Sequence, residues 1–124
     1  MTDEIVAGDI KDFILAHVES IAQLEALLLL RGSPDRLWDA AAAARRLYIG
    51  ERDAQEILGR LCAQGLVGRL DNAYRYAPAA DKAALIDRLA ESYARHLIPI
   101  TNIIHQRPAR IREFADAFKL KREP

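Results

Sequence analysis

The stretch that most constrains the fold runs from Leu37 to Ala77 and reads LWDAAAAARRLYIGERDAQEILGRLCAQGLVGRLDNAYRYA. A short apolar pair, two helical patterns and a hairpin pattern follow one another there, with no room for a long loop between them. Short connections place consecutive elements next to one another in space. The chain therefore has to build one small helical core with a few strands beside it.

The second helical pattern, Glu51 to Gln64, is the one predicted to face a partner. Its apolar residues lie on one side at spacings of three and four and are Ala54, Ile57, Leu58 and Leu61. The residues predicted to face outward are Glu51, Arg52, Asp53, Gln55, Glu56, Gly59 and Arg60. Gly65 ends this helix, because glycine adopts the left-handed conformation at the least cost.

Two helices are predicted before this stretch. The first covers Asp9 to Val18, with Asp9 as its N-cap. The second covers Glu19 to Arg31, and Ser20 and Gln23 have the spacing of a capping box at its start. The leucines of the second helix form a broad apolar face, which predicts that it lies at the centre of the core.

A small sheet is predicted around two short apolar patterns. Leu37 and Trp38 form a strand of one or two residues, and Asp39 then caps the helix from Ala40 to Leu47. The alanines of this helix allow a second helix to approach closely, as the crossing in a helix-turn-helix requires.

A hairpin follows, with its turn at Asp71 and Asn72. Alternation predicts that the apolar residues before this turn, Leu66, Val67 and Leu70, face Tyr74 and Tyr76 after it. Arg69 and Arg75 are expected to project near its tip.

The C-terminal third predicts a long helix from Ala79 onward, kinked at Pro99 and ended by Pro108. Its apolar residues repeat at spacings of three or four and are Ile86, Leu89, Tyr93, Leu97, Ile100 and Ile104. This repeat is longer than a small domain can cover, so we expect those six residues to form a homodimer interface. A last short amphipathic helix is predicted from Ile111, Phe114, Ala115 and Phe118, before a basic tail.

Three positions carry a resemblance to a known family. Ala44, then Tyr48 four positions on and Ala54 six further, reproduce the small, turn and apolar residues of helix-turn-helix proteins. The segment from about Ser20 to Pro78 resembles winged-helix transcriptional regulators, loosely of the MarR type. Within it, GLVGRLDNAYRYAP is similar to the end of a recognition helix, a wing strand, a turn and a second wing strand. The chain differs from the usual pattern of this family at two positions. Tyr48 stands where glycine is often found, and Gly50 stands where a Ser or Thr cap is common.

The expected fold is therefore mainly α with a small β-hairpin wing. Residues 1–19 form an N-terminal helical lead, residues 20–78 a winged helix-turn-helix domain, and residues 79–124 a long helix with a short basic tail helix. This chain length is enough for one domain with a real core and too short for two.

Composition excludes several classes of protein. The chain has 18 basic and 18 acidic residues, so its overall charge does not by itself indicate nucleic-acid binding. The only cysteine, Cys62, cannot form an intramolecular disulfide, and the reducing cytoplasm is the expected location. The acidic N-terminus is unlike a signal peptide, and no apolar run is long enough to span a membrane.

The sequence motifs do not indicate an enzyme. His17, His96 and His105 are scattered, and the chain has no HExxH, P-loop or GxGxxG motif. Cys62 lies beside the apolar side of its helix, which favours a small packing residue over a redox sensor. We expect no enzyme activity, no metal site and no cofactor.

Two functional classes remain, and the first is a dimeric DNA-binding regulator. Its recognition helix would enter the major groove while the wing lies along the DNA backbone. The candidate DNA contacts on the helices are Arg45, Arg46, Arg52, Gln55 and Arg60, and those on the wing are Arg69, Asn72 and Arg75. A basic tail cluster of Arg110, Arg112, Lys119, Lys121 and Arg122 would add attraction to phosphate.

The second class is a winged helix that binds a protein partner and not DNA. Glu51, Asp53 and Glu56 occupy the face that would meet phosphate. Acidic side chains can accept hydrogen bonds from cytosine amino groups, but three of them in two turns are unusual for a DNA-reading helix. The helix dipole accounts for Glu51 and Asp53, because both lie in the first turn.

Overall fold

The structure is a computed structural model that describes residues 5–106. Along this part of the chain the elements are α1 (Gly8–His17), α2 (Ile21–Gly32), β1 (Trp38–Asp39), α3 (Ala40–Leu47), α4 (Glu51–Ala63), β2 (Val67–Leu70), β3 (Ala73–Tyr76), α5 (Ala80–Arg95) and α6, helical from residue 97 to residue 106. The fold is mainly helical with one small antiparallel sheet, and this confirms the predicted class at that level.

Side-chain caps fix the starts of two helices. Ser20 Oγ accepts a hydrogen bond from the Gln23 backbone N–H at 3.1 Å, and Asp39 Oδ1 accepts one from the Ala42 N–H at 2.8 Å. Such a cap contributes about 1 kcal/mol, because it satisfies an amide that has no partner within the helix. Both predicted caps are therefore confirmed.

The sheet has the strand order β1-β3-β2, and both pairings are antiparallel. Trp38 pairs with Tyr74 across β1 and β3, so the short strand before α3 does join the hairpin. Gly65, with φ +78, makes the left-handed turn between α4 and β2, as predicted.

The core is built around α2 and is completed by one side of the sheet. Its largest fully buried side chains are Trp38, Tyr74, Ile14, Leu24, Leu27, Leu30, Leu58, Leu61, Leu66, Ile86, Leu89 and Ile100. Small residues line the contact between α3 and α4, where Ala43, Ala44 and Ala54 are all buried. Their size lets the two helices approach closely and leaves the opposite side of α4 uncovered.

The C-terminal helix differs from the prediction. It is not one kinked helix, because α5 ends at Arg95 and His96 takes a non-helical conformation with φ −132 and ψ 56. Pro99 has no N–H to donate to the carbonyl of Arg95, so α5 cannot continue through this point. Pro99 instead lies in the first turn of α6, where a missing N–H costs nothing.

The break changes the meaning of the apolar repeat. Because α6 can turn back onto the core, Ile86, Leu89, Ile100 and Ile104 are at most 1% exposed within the single chain. These four side chains offer no surface to a second copy, which corrects the basis on which they were assigned to a dimer interface. Of the six predicted interface residues, Leu97 is 52% exposed and Tyr93 is half-buried.

Asp9 also has a different role from the predicted one. The N-cap of α1 is Ala7, and Asp9 lies in the first turn of the helix. Its carboxylate accepts hydrogen bonds from the Arg88 guanidinium at 2.5 and 3.1 Å and thereby joins α1 to α5. This contact lowers the pKa of Asp9 below its ordinary value of 3.8.

Within residues 5–106, no single helix has the length and apolarity needed to cross a membrane. Only α1 and α2 taken together reach that length, and they are bent by 108° relative to one another.

Candidate nucleic-acid interface

The uncovered side of α4 has a clear centre and two edges. Arg52, Glu56, Gly59 and Ala63 follow one another at spacings of four, three and four, so they form one stripe along the helix. This stripe lies opposite the buried Ala54, Leu58 and Leu61. The centre of the exposed face thus carries one cation and one acid, followed by two small residues.

One edge of this face lies against the hairpin. Gln55 Nε2 donates a hydrogen bond to Tyr74 Oη at 2.9 Å, which joins α4 to β3. The Arg69 guanidinium lies 5.9 Å from the centre of the Tyr74 ring, and its Nε donates to the Asp71 carbonyl at 2.8 Å. Gln55 and Arg69 are therefore brought together around Tyr74.

The other edge lies against the start of α2. Arg60 forms an ion pair with Glu19, and Glu56 lines the same shallow cleft beside Ser20. This pairing offsets the charge of Arg60. Of the predicted DNA contacts on α4, Arg60 is the one whose charge already has a partner.

A buried amide cluster holds the end of α4 in place. The Gln23 side chain, 2% exposed, donates to the His17 carbonyl at 2.8 Å and accepts from the Glu19 N–H at 2.9 Å. Gln64, just after α4, donates to the same His17 carbonyl at 2.9 Å. The capping-box glutamine thus fixes the position of α4 as well as the start of α2.

The two wing arginines lie on opposite faces of the hairpin. Arg69 pairs with Tyr74 across the strands, so it shares the face that packs on the core. Arg75 pairs with Gly68 and therefore lies on the outer face. The structure does not bring Arg69 and Arg75 together, although the sequence placed both near the tip.

The outer face of the hairpin also corrects the position of Leu70. Leu70 pairs with Ala73 and is 59% exposed, whereas the sequence pattern placed it opposite Tyr74 or Tyr76. Strand alternation explains this, because Leu70 lies next to Arg69 in the sequence and must point to the opposite side. Asn72, at the turn, is exposed as predicted.

The α3–α4 turn contributes exposed residues of its own. Arg45 and Arg46 lie in the last turn of α3 and are both exposed. Tyr48, which follows them, is 93% exposed and has a left-handed conformation with φ 59. A bulky residue in this conformation is uncommon and costs free energy. Gly50 then caps α4 without any side-chain hydrogen bond.

Arg36 is a residue that the sequence patterns did not single out. Its guanidinium carbon lies 3.7 Å from the centre of the Trp38 ring, and the Arg46 guanidinium carbon lies 5.6 Å from the same centre. The proximity of Arg36 to Trp38 in the sequence was the available signal. The approach of Arg46 depends on how α3 packs beside β1, which periodicity does not specify.

Some arginines of the described residues form ion pairs with carboxylates, and others do not. Among residues 5–106, the arginines that form ion pairs are Arg31, Arg60, Arg88 and Arg95. Five of the predicted DNA contacts form no ion pair with a described carboxylate, and they are Arg45, Arg46, Arg52, Arg69 and Arg75. The tail cluster from Arg110 to Arg122 and the predicted last helix from Ile111 to Phe118 lie outside the described residues.

Histidine, cysteine and carboxylate side chains do not converge anywhere in the described part of the chain to form a potential metal site. Cys62 is half-buried on α4. Comparisons of the chain with protein-family models, with curated proteins and with solved structures found no match.

Proposed function

We propose that the chain is a DNA-binding transcriptional regulator in which residues 20–78 act as a winged helix-turn-helix. The order α2, β1, α3, α4, β2, β3 and the sheet order β1-β3-β2 support this proposal. In such a module the second helix of the pair enters the major groove, and the hairpin lies beside it. Here α4 would be that helix, and the β2–β3 hairpin would be the wing.

The observation that carries the proposal is the uncovered face of α4. Arg52 lies near its centre and forms no ion pair with a described residue, and Gln55 lies at its hairpin edge. Arginine and glutamine are side chains that read guanine and adenine in the major groove. Arg45 and Arg46 at the end of α3 supply positive charge for phosphate contacts.

The regulator would act as a homodimer, because symmetric half-sites are the usual target of such modules. Four of the predicted interface residues are buried within the single chain, so they are not available for a dimer contact. The apolar side chains that remain exposed near α6 are Ile5, Leu97 and Ile98, which are 46%, 52% and 69% exposed. We expect the two copies to meet through Leu97 and Ile98. Light scattering at micromolar concentration should give a dimer for the wild type and a monomer for Leu97→Glu with Ile98→Glu.

A protein-interaction module is the second candidate, and the acids of α4 favour it. Glu51, Asp53 and Glu56 are all exposed and form no ion pair with a described residue, and Arg60 is paired with Glu19. The free charge on the exposed face of α4 is therefore negative. In this case α4 would bind a basic or apolar protein surface, and the arginines would have other roles.

Fluorescence anisotropy with labelled random duplex at several salt concentrations separates the two candidates. Log affinity falls with log salt, and each phosphate contact adds about 0.9 to the magnitude of this negative slope. We expect wild-type binding to weaken steeply with salt, and Arg45→Gln with Arg69→Gln to reduce the magnitude of that slope by up to about two units.

The matched control is Arg31→Gln with Arg95→Gln, which removes two charges from residues that pair with Asp87 and Glu91. This control should keep the wild-type slope. Absence of binding at the lowest salt would reject the DNA proposal. If Glu51→Lys with Glu56→Lys then created binding, the acids of α4 would be the reason.

A further inference from the structure

Two arginines from different elements converge on one buried ring. Arg36 precedes β1 and Arg46 lies on α3, and their guanidinium carbons are 3.7 and 5.6 Å from the centre of the Trp38 ring. The indole ring attracts cations more strongly than any other aromatic side chain. Both arginines are exposed, so each is accessible to a partner while it lies near the ring.

The ring beneath them is fixed. Trp38 is 1% exposed and pairs with Tyr74 within the sheet, so it cannot move without disturbing the core. Side chains that are ordered before binding lose less conformational freedom when a partner arrives. The planar guanidinium group is suited both to stacking on a ring and to bidentate contact with an anion.

Neither guanidinium of this pair forms an ion pair with a carboxylate of residues 5–106. The two guanidinium carbons lie within about 9.3 Å of one another, since both are near one ring centre. Exposed like charges within about one Debye length of each other repel weakly, and more strongly at low salt. Asp39 instead accepts the capping hydrogen bond of α3, and Asp35 forms no ion pair with a described residue. An external anion would relieve this repulsion.

We propose that Arg36 and Arg46, which both lie within cation–π distance of the Trp38 ring, form a clamp for the phosphate backbone of bound DNA. The clamp rests on the proposed function. It adds Arg36 to the proposed phosphate contacts and joins it with Arg46 at one ring. Phosphate is favoured over a protein carboxylate because Arg46 belongs to α3, and the first helix of a helix-turn-helix crosses the DNA backbone.

Trp38 reports on the clamp directly, because it is the only tryptophan in the chain. Its intrinsic fluorescence should change in a saturable way when wild-type protein is titrated with random duplex. Excitation at a wavelength that DNA does not absorb, together with anisotropy of labelled duplex in the same samples, links the change to binding. Polyglutamate of similar total charge serves as the protein-like competitor.

Paired substitutions separate a clamp from general positive charge. Arg36→Gln with Arg46→Gln should lower the salt slope by about two units and weaken binding on the order of tenfold per lost contact at ~0.1 M salt. Arg36→Lys with Arg46→Lys should keep the slope and still bind less tightly, because lysine lacks the planar fork. Arg31→Gln with Arg95→Gln is the charge-matched control and should behave as wild type.

The outcomes distinguish the clamp from the proposed function. If the wild type binds duplex but the glutamine pair keeps its slope, or Trp38 emission stays constant at saturation, the clamp is wrong and the DNA-binding proposal stands. If polyglutamate changes Trp38 emission at lower concentration than duplex does, the cluster binds an acidic protein segment and the phosphate assignment is wrong. If the wild type binds no duplex at the lowest salt, both proposals fail.

Discussion

Two tyrosines of β3 should respond in opposite ways when their hydroxyl groups are removed. Tyr74 Oη accepts the hydrogen bond from Gln55 at 2.9 Å, so Tyr74→Phe should lower the free energy of unfolding by about 0.5–1.5 kcal/mol. Tyr76 Oη is buried and has no hydrogen-bond partner among the described residues. Tyr76→Phe should therefore be neutral or raise the free energy of unfolding by up to ~1 kcal/mol, because it removes an unpaired buried polar group.

Urea denaturation measures this difference within one strand of one protein. With a slope of about 2 kcal/mol/M, the midpoints of the two variants should differ by roughly 0.25–1.25 M, with Tyr74→Phe the lower. Equal midpoints, or a lower midpoint for Tyr76→Phe, would show that the hydrogen bond contributes nothing to stability.

The same pair of variants tests how Gln55 is used. One amide hydrogen of Gln55 is donated to Tyr74, so one N–H and the carbonyl oxygen remain, which is the pair that adenine requires. Releasing Gln55 from Tyr74 adds the cost of ordering a side chain, about 0.5–1.5 kcal/mol. Tyr74→Phe should weaken binding to a selected site by about two- to twelvefold and leave random duplex unaffected. An equal loss on both duplexes would refute this role of Gln55.

Three further predictions concern stability. Ile100→Ala, at a fully buried site of α6, should cost about 2–5 kcal/mol in chemical denaturation, whereas Asn102→Ala, at an exposed site of the same helix, should change stability by less than about 0.5 kcal/mol; equally small changes would contradict the inward turn of α6. Tyr48→Gly should raise the free energy of unfolding by about 0.5–1 kcal/mol, because glycine relieves the left-handed strain at φ 59 and the lost side chain is 93% exposed, and a lower midpoint would disprove the strain. Burial and the hydrogen bond to Glu25 raise the pKa of Tyr93 to about 12, above its ordinary value of 10.0. The folded state therefore binds the Tyr93 proton more tightly than the unfolded state does, so the free energy of unfolding should fall as pH rises from 10 towards 12. This fall should be smaller in Tyr93→Phe, and identical alkaline profiles of the two proteins would contradict the raised pKa of Tyr93.

Local chemistry made much of the fold predictable. Ser20 and Asp39 cap helices because their short side chains reach amides three residues on, and Gly65 turns the chain because it alone among its neighbours lacks a Cβ. Trp38 joins the hairpin as a third strand, since the helix that follows leaves it beside β3. These features depend on neighbours in the sequence, which explains their success.

The features that the sequence did not reveal depend on contacts between distant elements. Ile100 and Ile104 are buried because the helix breaks at His96. This break lets α6 cover a part of the core that a single straight helix would have left exposed. The approach of Arg46 to Trp38 likewise requires the packing of α3 beside the sheet. Periodicity identifies an apolar side chain but not the surface that buries it.

Leu70 shows a conflict between composition and geometry. Its apolar side chain suggested burial. Successive side chains of a strand point to opposite faces, however, so Leu70 and Arg69 cannot both face the core. The hairpin register pairs Arg69 with the buried Tyr74, and Leu70 is left on the outer side. Strict alternation from Val67 would have predicted this without a structure.

The most direct test of the central claim is amide chemical-shift mapping of isotope-labelled protein with random duplex at low salt. The proposed function predicts that the largest changes fall on α4 and the β2–β3 hairpin, around Arg52, Gln55 and Asn72, and that α5 is unchanged. Changes confined to α5 and α6, or no change at a duplex concentration that saturates binding by anisotropy, would contradict it.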